Sequence, residues 1–370
     1  MYSRRISFRR RASVDLYSRH RIAAIAIVLA LAVSIAVGGA ATASASYPGR
    51  PGEIAYPDQS ESAIVDPYNG TPPVTTASYD LYAVRAPSRR LPHTRRRRAV
   101  FRRDLLSCSV TTTADAPESD VGQFCPTTSA FSPDGRQLTF GDRGVLVIAS
   151  AAGSAARHLA QQTADDEQPA FLPGDQALVF AGSPKPGAPL DLYTASTSGT
   201  GLTQLTSSGG SQPAPCANGS LAFVHRGDVY LLSADHRTQR RLTLRGGDSP
   251  DCSPDGRWIA FTRNRDLYLI SSSGRQVRRL TTGHVLNGRP AFSPTGQQIA
   301  ITATFPCRHS GNCCVDEYSG YCSDGSAGLE VIDLRGRVRW KPLDGCPAPQ
   351  YGPRGCDTYG GVAWQPLSTR

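Results

Sequence analysis

Hydrophobic and polar residues alternate over short segments that recur along the chain. The segment 130–140 reads Ala-Phe-Ser-Pro-Asp-Gly-Arg-Gln-Leu-Thr-Phe, and similar segments occupy 170–180, 251–261 and 291–301, with a shortened copy at 215–223. After the turn the pattern alternates, as in Leu138 and Phe140, so these side chains share one face of a strand. Pro-Asp-Gly favours a tight turn because Pro presets φ, Asp bonds its own backbone and Gly adopts positive φ. Each copy therefore predicts two strands joined by a turn.

Two more signatures follow most copies and predict a third and a fourth strand. One is Asp-Leu-Tyr or a similar apolar run, at 145–148, 191–193, 228–231, 266–270 and 329–332. The other is Leu-Thr, at 205–206, 242–243 and 280–281. The copies start at residues 131, 171, 216, 252 and 292, and a period near 40 residues is typical of four-stranded propeller blades.

The chain ends supply partial copies of the same unit. Residues 362–366 match a first strand, while residues 52–56 and 79–84 match a second and a third strand. Together the two ends complete one blade, which brings the count to six. We therefore predict an all-β, six-bladed β-propeller closed by exchange of the N- and C-terminal strands, an arrangement that leaves no open sheet edge.

The combined Phe-Ser-Pro-Asp-Gly, Ile-Ala-Phe, Asp-Leu-Tyr and Arg-Leu-Thr pattern resembles the TolB-type, WD-like β-propeller repeat. The resemblance covers residues 130–301 well and 52–84 and 328–366 in part. It implies protein partners that bind at the ring face or the channel mouth. It concerns the propeller alone, without the N-terminal domain of TolB proteins, and so does not imply a Tol–Pal role.

The N-terminus carries the features of an export signal. The net charge is +10, but residues 1–45 hold seven Arg and one acidic residue, so the remainder is only weakly basic and nucleic-acid binding is not expected. An apolar run at 22–37 is followed by Ala43-Ser44-Ala45, a small-residue cleavage pattern. Residues 1–45 are therefore predicted to be a signal peptide or, if uncleaved, a signal anchor with its membrane segment at 22–41, and 46–370 the propeller.

Ten cysteines behind an export signal predict disulfides rather than a metal site, since their spacing lacks the C-x2-C pairs of structural zinc. Cys108 and Cys125 are expected to pair. Cys216 and Cys252 are placed at the same inner-strand position of consecutive blades, where they form a bridge or act as small buried hydrophobes. Connectivity stays open for the remaining six: Cys307, Cys313, Cys314, Cys322, Cys346 and Cys356.

Most of these cysteines fall in irregular insertions, at about 106–128, 302–327 and 344–361, and a further long loop is expected at 57–78. In a blade whose strands run outward from the axis, the loops after the second and fourth strands emerge on one face. The sequence therefore predicts a disulfide-rich loop cap on one face of the ring. Its aromatic residues offer a recognition surface or simply pack the loops: Tyr318, Tyr321, Tyr351 and Tyr359.

Asp165, Asp166 and His284 are expected on the same face, and solvated loop charge is the favoured interpretation of the acidic residues. We expect an exported, non-catalytic propeller that recognises an unidentified envelope protein, with no cofactor and no metal. A hydrolase or lyase acting on a glycan or lactone with a channel-bound metal, or a carbohydrate-binding propeller, stays open. Membrane contact is expected only through an uncleaved N-terminal segment.

Overall fold

The computed structural model describes residues 46–64, 74–85, 102–113, 116–121, 129–282, 285–286, 289–305, 326–340 and 362–367. All of them belong to one compact unit, Ala40–Arg370. Throughout these ranges the regular structure consists of strands, and no helix is present.

The strands in chain order are β1 (Arg50–Ile64), β2 (Val74–Arg85), β3 (Arg102–Thr113), β4 (Ala116–Val121), β5 (Ala130–Phe131), β6 (Gln137–Asp142), β7 (Val145–Ser150), β8 (Arg157–His158), β9 (Asp165–Phe171), β10 (Ala177–Ser183), β11 (Asp191–Ser196), β12 (Thr203–Gln204), β13 (Ser211–Pro215), β14 (Leu221–His225), β15 (Asp228–Leu232), β16 (Gln239–Arg241), β17 (Asp248–Cys252), β18 (Trp258–Arg263), β19 (Asp266–Ser271), β20 (Val277–Arg279), β21 (Val285–Leu286), β22 (Ala291–Phe292), β23 (Gln298–Phe305), β24 (Ser326–Asp333), β25 (Val338–Trp340) and β26 (Ala363–Leu367).

These strands form six antiparallel sheets, and each sheet is one blade. Blade 1 has the order β26-β1-β2-β3-β4, and blades 2 to 5 are β5 to β8, β9 to β12, β13 to β16 and β17 to β20. In blade 6, both β21 and β22 pair with β23, which is followed by β24 and β25. The six-bladed, all-β prediction is confirmed.

The hydrophobic core lies between the blades. It consists of six clusters, each with members from at least two consecutive blades, because a single sheet cannot bury both of its faces alone. From blade 1 round to blade 6 and back, the clusters contain Leu81 and Phe140, Ile148 and Phe180, Val179 and Phe223, Ala222 and Phe261, Ala260 and Phe292, and Ala300 and Tyr56.

Blade 1 joins both ends of the described chain. Strand β26 pairs antiparallel with β1, and Trp364 lies opposite Ile54. The Gln365 amide donates to the carbonyl of Gly135 in the first turn of blade 2, at 2.8 Å. Gly135 has φ of 71°, and a Cβ there would lie 1.8 Å from the Pro366 carbonyl oxygen. Only glycine allows this close approach of the C-terminal strand.

Two segments differ from the sequence-based expectation of irregular loops. Within 57–78, β1 continues to Ile64 and β2 begins at Val74, so only 65–73 lies outside the described strands. Within 106–128, residues up to Thr113 belong to β3 and Ala116–Val121 forms β4. In both segments the antiparallel pairing between neighbouring strands continues beyond the strand lengths of the other blades. The strands of blade 1 are therefore longer than the repeat predicted.

The predicted bridge between Cys216 and Cys252 is confirmed, with the two Cα atoms 5.2 Å apart. The prediction that they occupy equivalent positions is wrong by one residue. Cys252 pairs with Ile259, whereas it is Pro215 that pairs with the corresponding Leu221. Cys216 follows one residue later, in the turn of blade 4, so the bridge runs diagonally between blades 4 and 5.

Candidate functional site

The Asp that opens the third strand of a blade holds the loop that follows the fourth strand. In blade 4, Asp228 Oδ1 accepts hydrogen bonds from the Thr243 hydroxyl at 2.8 Å and from the backbone of Gly246 at 2.9 Å. The Thr243 oxygen in turn accepts from the backbone of Val229 at 2.9 Å. Blades 3 and 5 repeat the contact, with Asp191 to Thr206 and Asp266 to Thr281. The Asp-Leu-Tyr and Leu-Thr signatures are therefore structural.

The arginines of the outer strands also have structural partners. Arg241 forms an ion pair with Asp228, and Arg279 does the same with Asp266. The residue before each of them reaches the next blade, since Arg240 donates to the carbonyl of Ser273 at 2.7 Å. Arg278 to Leu334 and Arg157 to Thr197 are the equivalent contacts, both at 2.8 Å. Much of the positive charge on these outer strands therefore ties blades together.

The predicted acidic group in blade 3 is only partly at the surface. Asp166 is fully buried, and its carboxylate accepts bonds from the backbone of Gln162 at 2.7 Å and of Thr163 at 3.0 Å. Burial raises the pKa of Asp166, although the hydrogen bonds oppose the shift. Burial and the neighbouring Asp165 also raise the pKa of half-buried Glu167. The expectation that Asp166 is solvated is therefore wrong, because its carboxylate stabilises the loop before β9.

Of the other predicted site residues, the structure describes two and leaves the rest outside the described ranges. Asp165 is half-buried at the start of β9. Cys108 is buried in β3 and disulfide-bonded. The predicted recognition and cysteine residues that lie outside the described ranges are His284, Tyr318, Tyr321, Tyr351, Tyr359, Cys125, Cys307, Cys313, Cys314, Cys322, Cys346 and Cys356.

A ring of side chains at the start of the inner strands was not predicted. Each member precedes a proline, and we call Gln168, Gln212, Ser249 and Arg289 the inner ring. Gln168 Oε1 accepts from the backbone of Gln212 at 2.7 Å, and Gln212 Oε1 accepts from the backbone of Ser249 at 2.5 Å. The first three residues have positive φ, between 51° and 55°. The ring therefore links blades 3, 4 and 5 beside the central axis.

Arg289 is the charged member of the inner ring and is fully buried. Its Nη1 lies 3.3 Å from the carbonyl oxygen of Pro213, so the side chain extends from blade 6 towards blade 4. Within the described residues, Nε and Nη2 have no hydrogen-bond partner. Burial lowers the pKa of Arg289 to about 9, while Asp251 and Asp248 act in the opposite direction. The repeat alignment could have revealed it, because three other copies carry a neutral residue there.

The opposite end of the inner strands contacts the segment that precedes β1. Ser46 and Tyr47 are only 1% and 3% exposed. The Ser46 hydroxyl donates to Oδ2 of the buried Asp251 at 2.7 Å, and the Tyr47 hydroxyl donates to the Phe171 carbonyl. The backbone of Gly49 donates to the turn of blade 6 at 3.2 Å. Residues 46–49 thus cover the axis at the end where the first and second strands turn.

The described residues contain no group of three or more His, Cys, Asp or Glu side chains placed to hold a metal ion. In the same ranges no helix has the length and apolar character needed to cross a membrane.

Six radially packed antiparallel sheets around a common axis define a six-bladed β-propeller. Within that class the fold is similar to that of TolB. TolB from Acinetobacter baumannii has a TM-score of 0.53 and 18% identity, over 90% of this chain and 70% of that chain. Hydrazine synthase from Kuenenia stuttgartiensis has a TM-score of 0.54 and 12% identity, over 88% of this chain and 48% of that one. At these identities the likeness concerns the fold alone.

Sequence comparison adds a local match. The family model of the dipeptidyl peptidase IV N-terminal region matches residues 248–294, which span blade 5 and the first inner strands of blade 6. Among solved structures, a putative TolB from Agrobacterium tumefaciens is 20% identical over 61% of this chain and 84% of that chain, with a TM-score of 0.49. No curated protein sequence matches this chain.

Proposed function

We propose that this chain is an exported, non-catalytic β-propeller that acts as a protein-recognition or scaffold domain in a bacterial cell envelope. The observation that carries the proposal is the use of the signature carboxylates. Asp191, Asp228 and Asp266 each accept a hydrogen bond from the threonine that follows the fourth strand of the same blade. Acidic side chains engaged in this way stabilise a frame, and a rigid frame that presents loops is a common basis for recognition.

Export is supported by the disulfide chemistry and by the N-terminal sequence. The bridge between Cys216 and Cys252 joins two blades, and Cys108 is also bridged. Disulfides persist in oxidising compartments outside the cytoplasm. The Arg-rich, apolar and small-residue regions of 1–45 follow the order of a secretory signal.

The recognition surface that we propose is the face formed by two kinds of loop. The turns between the second and third strands contact the loops that precede the first strands, as shown by the bond from the Gly247 backbone to the Gly227 carbonyl at 3.0 Å. Exposed side chains on this face include Arg226, Arg245 and Lys185. A cationic surface of this kind favours an acidic protein partner.

Site-specific photocrosslinking in the producing cell tests this proposal. A photoreactive residue at 226, 245 or 185 reports on the proposed face. Matched positions at the exposed Arg136 and Arg257, in the turns between first and second strands, report on the opposite face. We expect discrete protein adducts from the first set and none from the second. Adducts only from the second set, or none from either, would contradict the proposed surface.

A further inference from the structure

We propose that Arg289 binds a carboxylate group at the inner ring, through the paired N–H groups of Nε and Nη2. The starting observation is a fully buried guanidinium with two donors that no described group accepts from. A buried donor without an acceptor costs about 1–3 kcal/mol, and more when the group is charged. A ligand that supplies acceptors recovers that free energy on binding.

The geometry of the guanidinium selects the kind of ligand. Nε–H and Nη2–H lie on one edge of the planar group and point in parallel, which matches the two oxygens of a carboxylate. Nη1, on another edge, is directed to the Pro213 carbonyl at 3.3 Å. That contact fixes the orientation of the plane from blade 4, so the Nε and Nη2 edge is presented in one direction. A single carbonyl or a water satisfies one donor, whereas a carboxylate satisfies both.

Asp251, the acidic residue with the largest electrostatic influence on Arg289, accepts its hydrogen bonds from other groups. Asp251 Oδ2 accepts from the Ser46 hydroxyl and from the backbone of Phe292, both at 2.7 Å. Asp251 and Asp248 influence Arg289 through their charge, and neither forms an ion pair with it in the described structure. Blade 5 therefore directs the buried carboxylate of Asp251 towards the N-terminal segment, and Asp248 accepts from the Thr262 hydroxyl. The guanidinium edge of Arg289 is left for an external anion.

Electrostatics favour an anion over a neutral ligand. Burial lowers the pKa of Arg289 to about 9, so the side chain is still protonated at neutral pH. An unpaired buried cation is unfavourable, and a bidentate anion neutralises it where the local dielectric constant is low. The exposed Arg226, Arg245 and Arg265 lie on the same face as the start of the inner strands and attract anions to it.

The carboxylate has two possible sources, a free organic acid or an acidic group of a protein partner. The chemistry at Arg289 is the same for both. The proposed Arg289 site is therefore independent of the proposed function. If the carboxylate belongs to a protein partner, the site would be part of the recognition surface.

Thermal unfolding and calorimetric titration of the purified protein provide the first test, with acetate and succinate as probes and chloride at equal ionic strength as reference. We expect acetate or succinate to raise the melting temperature and to bind with one site per chain. Arg289→Met removes the donors and should abolish both effects. Arg289→Lys keeps the charge without the paired edge and should weaken binding at least tenfold. The exposed Arg245→Met is the matched control and should change binding less than threefold.

Binding by Arg289→Met within twofold of the unmodified protein would overturn the proposal. Should Arg289→Met fail to fold, nitrogen-15 NMR of the unmodified protein gives a second measurement, since the Nε–H of a buried arginine exchanges slowly. Arg289→Lys assigns that resonance. A change in its chemical shift that saturates with acetate supports the site, and a resonance unaffected by every carboxylate contradicts it.

A third arm identifies the source. A short peptide with a free C-terminal carboxylate is compared with the same peptide in amidated form. Binding of the free form alone indicates a partner carboxylate, and binding of acetate and succinate without either peptide indicates a small acid. If carboxylates bind but photocrosslinks from positions 226, 245 and 185 are absent, the proposed function fails and the Arg289 site stands.

Discussion

The hydroxyl of Ser46 donates to Oδ2 of Asp251 at 2.7 Å, across 205 residues of sequence. The contact joins the segment before β1 to the inner strand of blade 5, and both residues are buried. It places the segment before β1 at the axis of the ring rather than at its perimeter.

Asp251→Asn is expected to lower the free energy of unfolding by about 1.5–3 kcal/mol, since a hydrogen-bonded charged acceptor is replaced in a buried site. Urea unfolding measures the change. Asp255→Asn is the matched control, because Asp255 is exposed in a turn that Asn also tolerates, and its cost should stay within about 0.5 kcal/mol. Equal costs for the two variants would show that the Ser46 contact contributes nothing.

Processing of the exported protein is expected to leave Ser46 as the first residue. Cleavage after Ala45 would create an α-ammonium group beside the buried carboxylate of Asp251, which would add an ion pair to the hydrogen bond from the Ser46 hydroxyl. Intact mass and N-terminal sequencing of protein recovered from the producing cell measure the position. Recovery of chains that still carry residues 22–37 would favour the signal anchor instead.

The bridge between Cys216 and Cys252 closes a loop with a sequence separation of 36 residues. Replacing both cysteines by alanine is expected to lower the free energy of unfolding by about 2–4 kcal/mol, chiefly through the greater freedom of the unfolded chain. Urea unfolding of both proteins under non-reducing conditions gives the difference. The control is the same pair in reductant, where the difference should shrink. No difference in either condition would mean that the bridge does not stabilise the fold.

Trp364 tests whether β26 holds the ring closed. It is 2% exposed and lies in the cluster between blades 6 and 1, opposite Ile54 of β1. Trp364→Ala is expected to cost about 3–5 kcal/mol through loss of buried surface and creation of a cavity. Leu367→Ala, at the exposed end of the same strand, should cost less than about 1 kcal/mol. Comparable melting temperatures for both variants would argue against closure by this strand.

The hydrogen bonds that the Asp228 carboxylate accepts should make the free energy of unfolding depend on pH in the acid range. Burial alone would raise the pKa of Asp228, but bonds from Thr243, Gly246 and Arg241 lower it below its ordinary value. Its stabilisation is fully present above the unfolded-state pKa of about 3.9 and is lost as the pH falls through the lower folded-state pKa. Asp228→Asn should therefore cost about 1–3 kcal/mol at pH 6 and less at pH 3.

Urea midpoints at the two pH values measure this prediction. Asp255→Asn again serves as the exposed control, with a small cost at both. An Asp228→Asn cost that is the same at pH 3 as at pH 6 would exclude the ionised carboxylate as the source of the stabilisation.

The sequence predicts the repeating part of the fold well because the decisive interactions are local. The alternation of Leu138 and Phe140 sets the strand face, and the contact between Asp228 and Thr243 spans only 15 residues. The pairing of Cys216 with Cys252 follows from neighbouring copies of one repeat. The one-residue offset between them was not visible, because Pro215 occupies the position that Phe holds in most copies and the turn of blade 4 is shorter.

The candidate site was harder to predict from sequence. Of the residues singled out beforehand, Asp166 has a structural role, while Arg289 and Ser46 were not singled out at all. Arg289 stands next to a proline as Gln168, Gln212 and Ser249 do, and only the substitution of a charge for a neutral residue marks it. Its importance depends on burial, which a single copy of the repeat does not reveal.

The sequence by itself determined the strands, their tight turns and the number of blades, since these rest on hydrophobic periodicity and on turn chemistry within one repeat. Only the tertiary structure decided that Arg289 reaches Pro213 and that Ser46 meets Asp251. Alternation along a strand specifies which side chains are buried but not which distant residue covers them. That choice is made when the blades pack around a common axis and bring the two ends of the domain together.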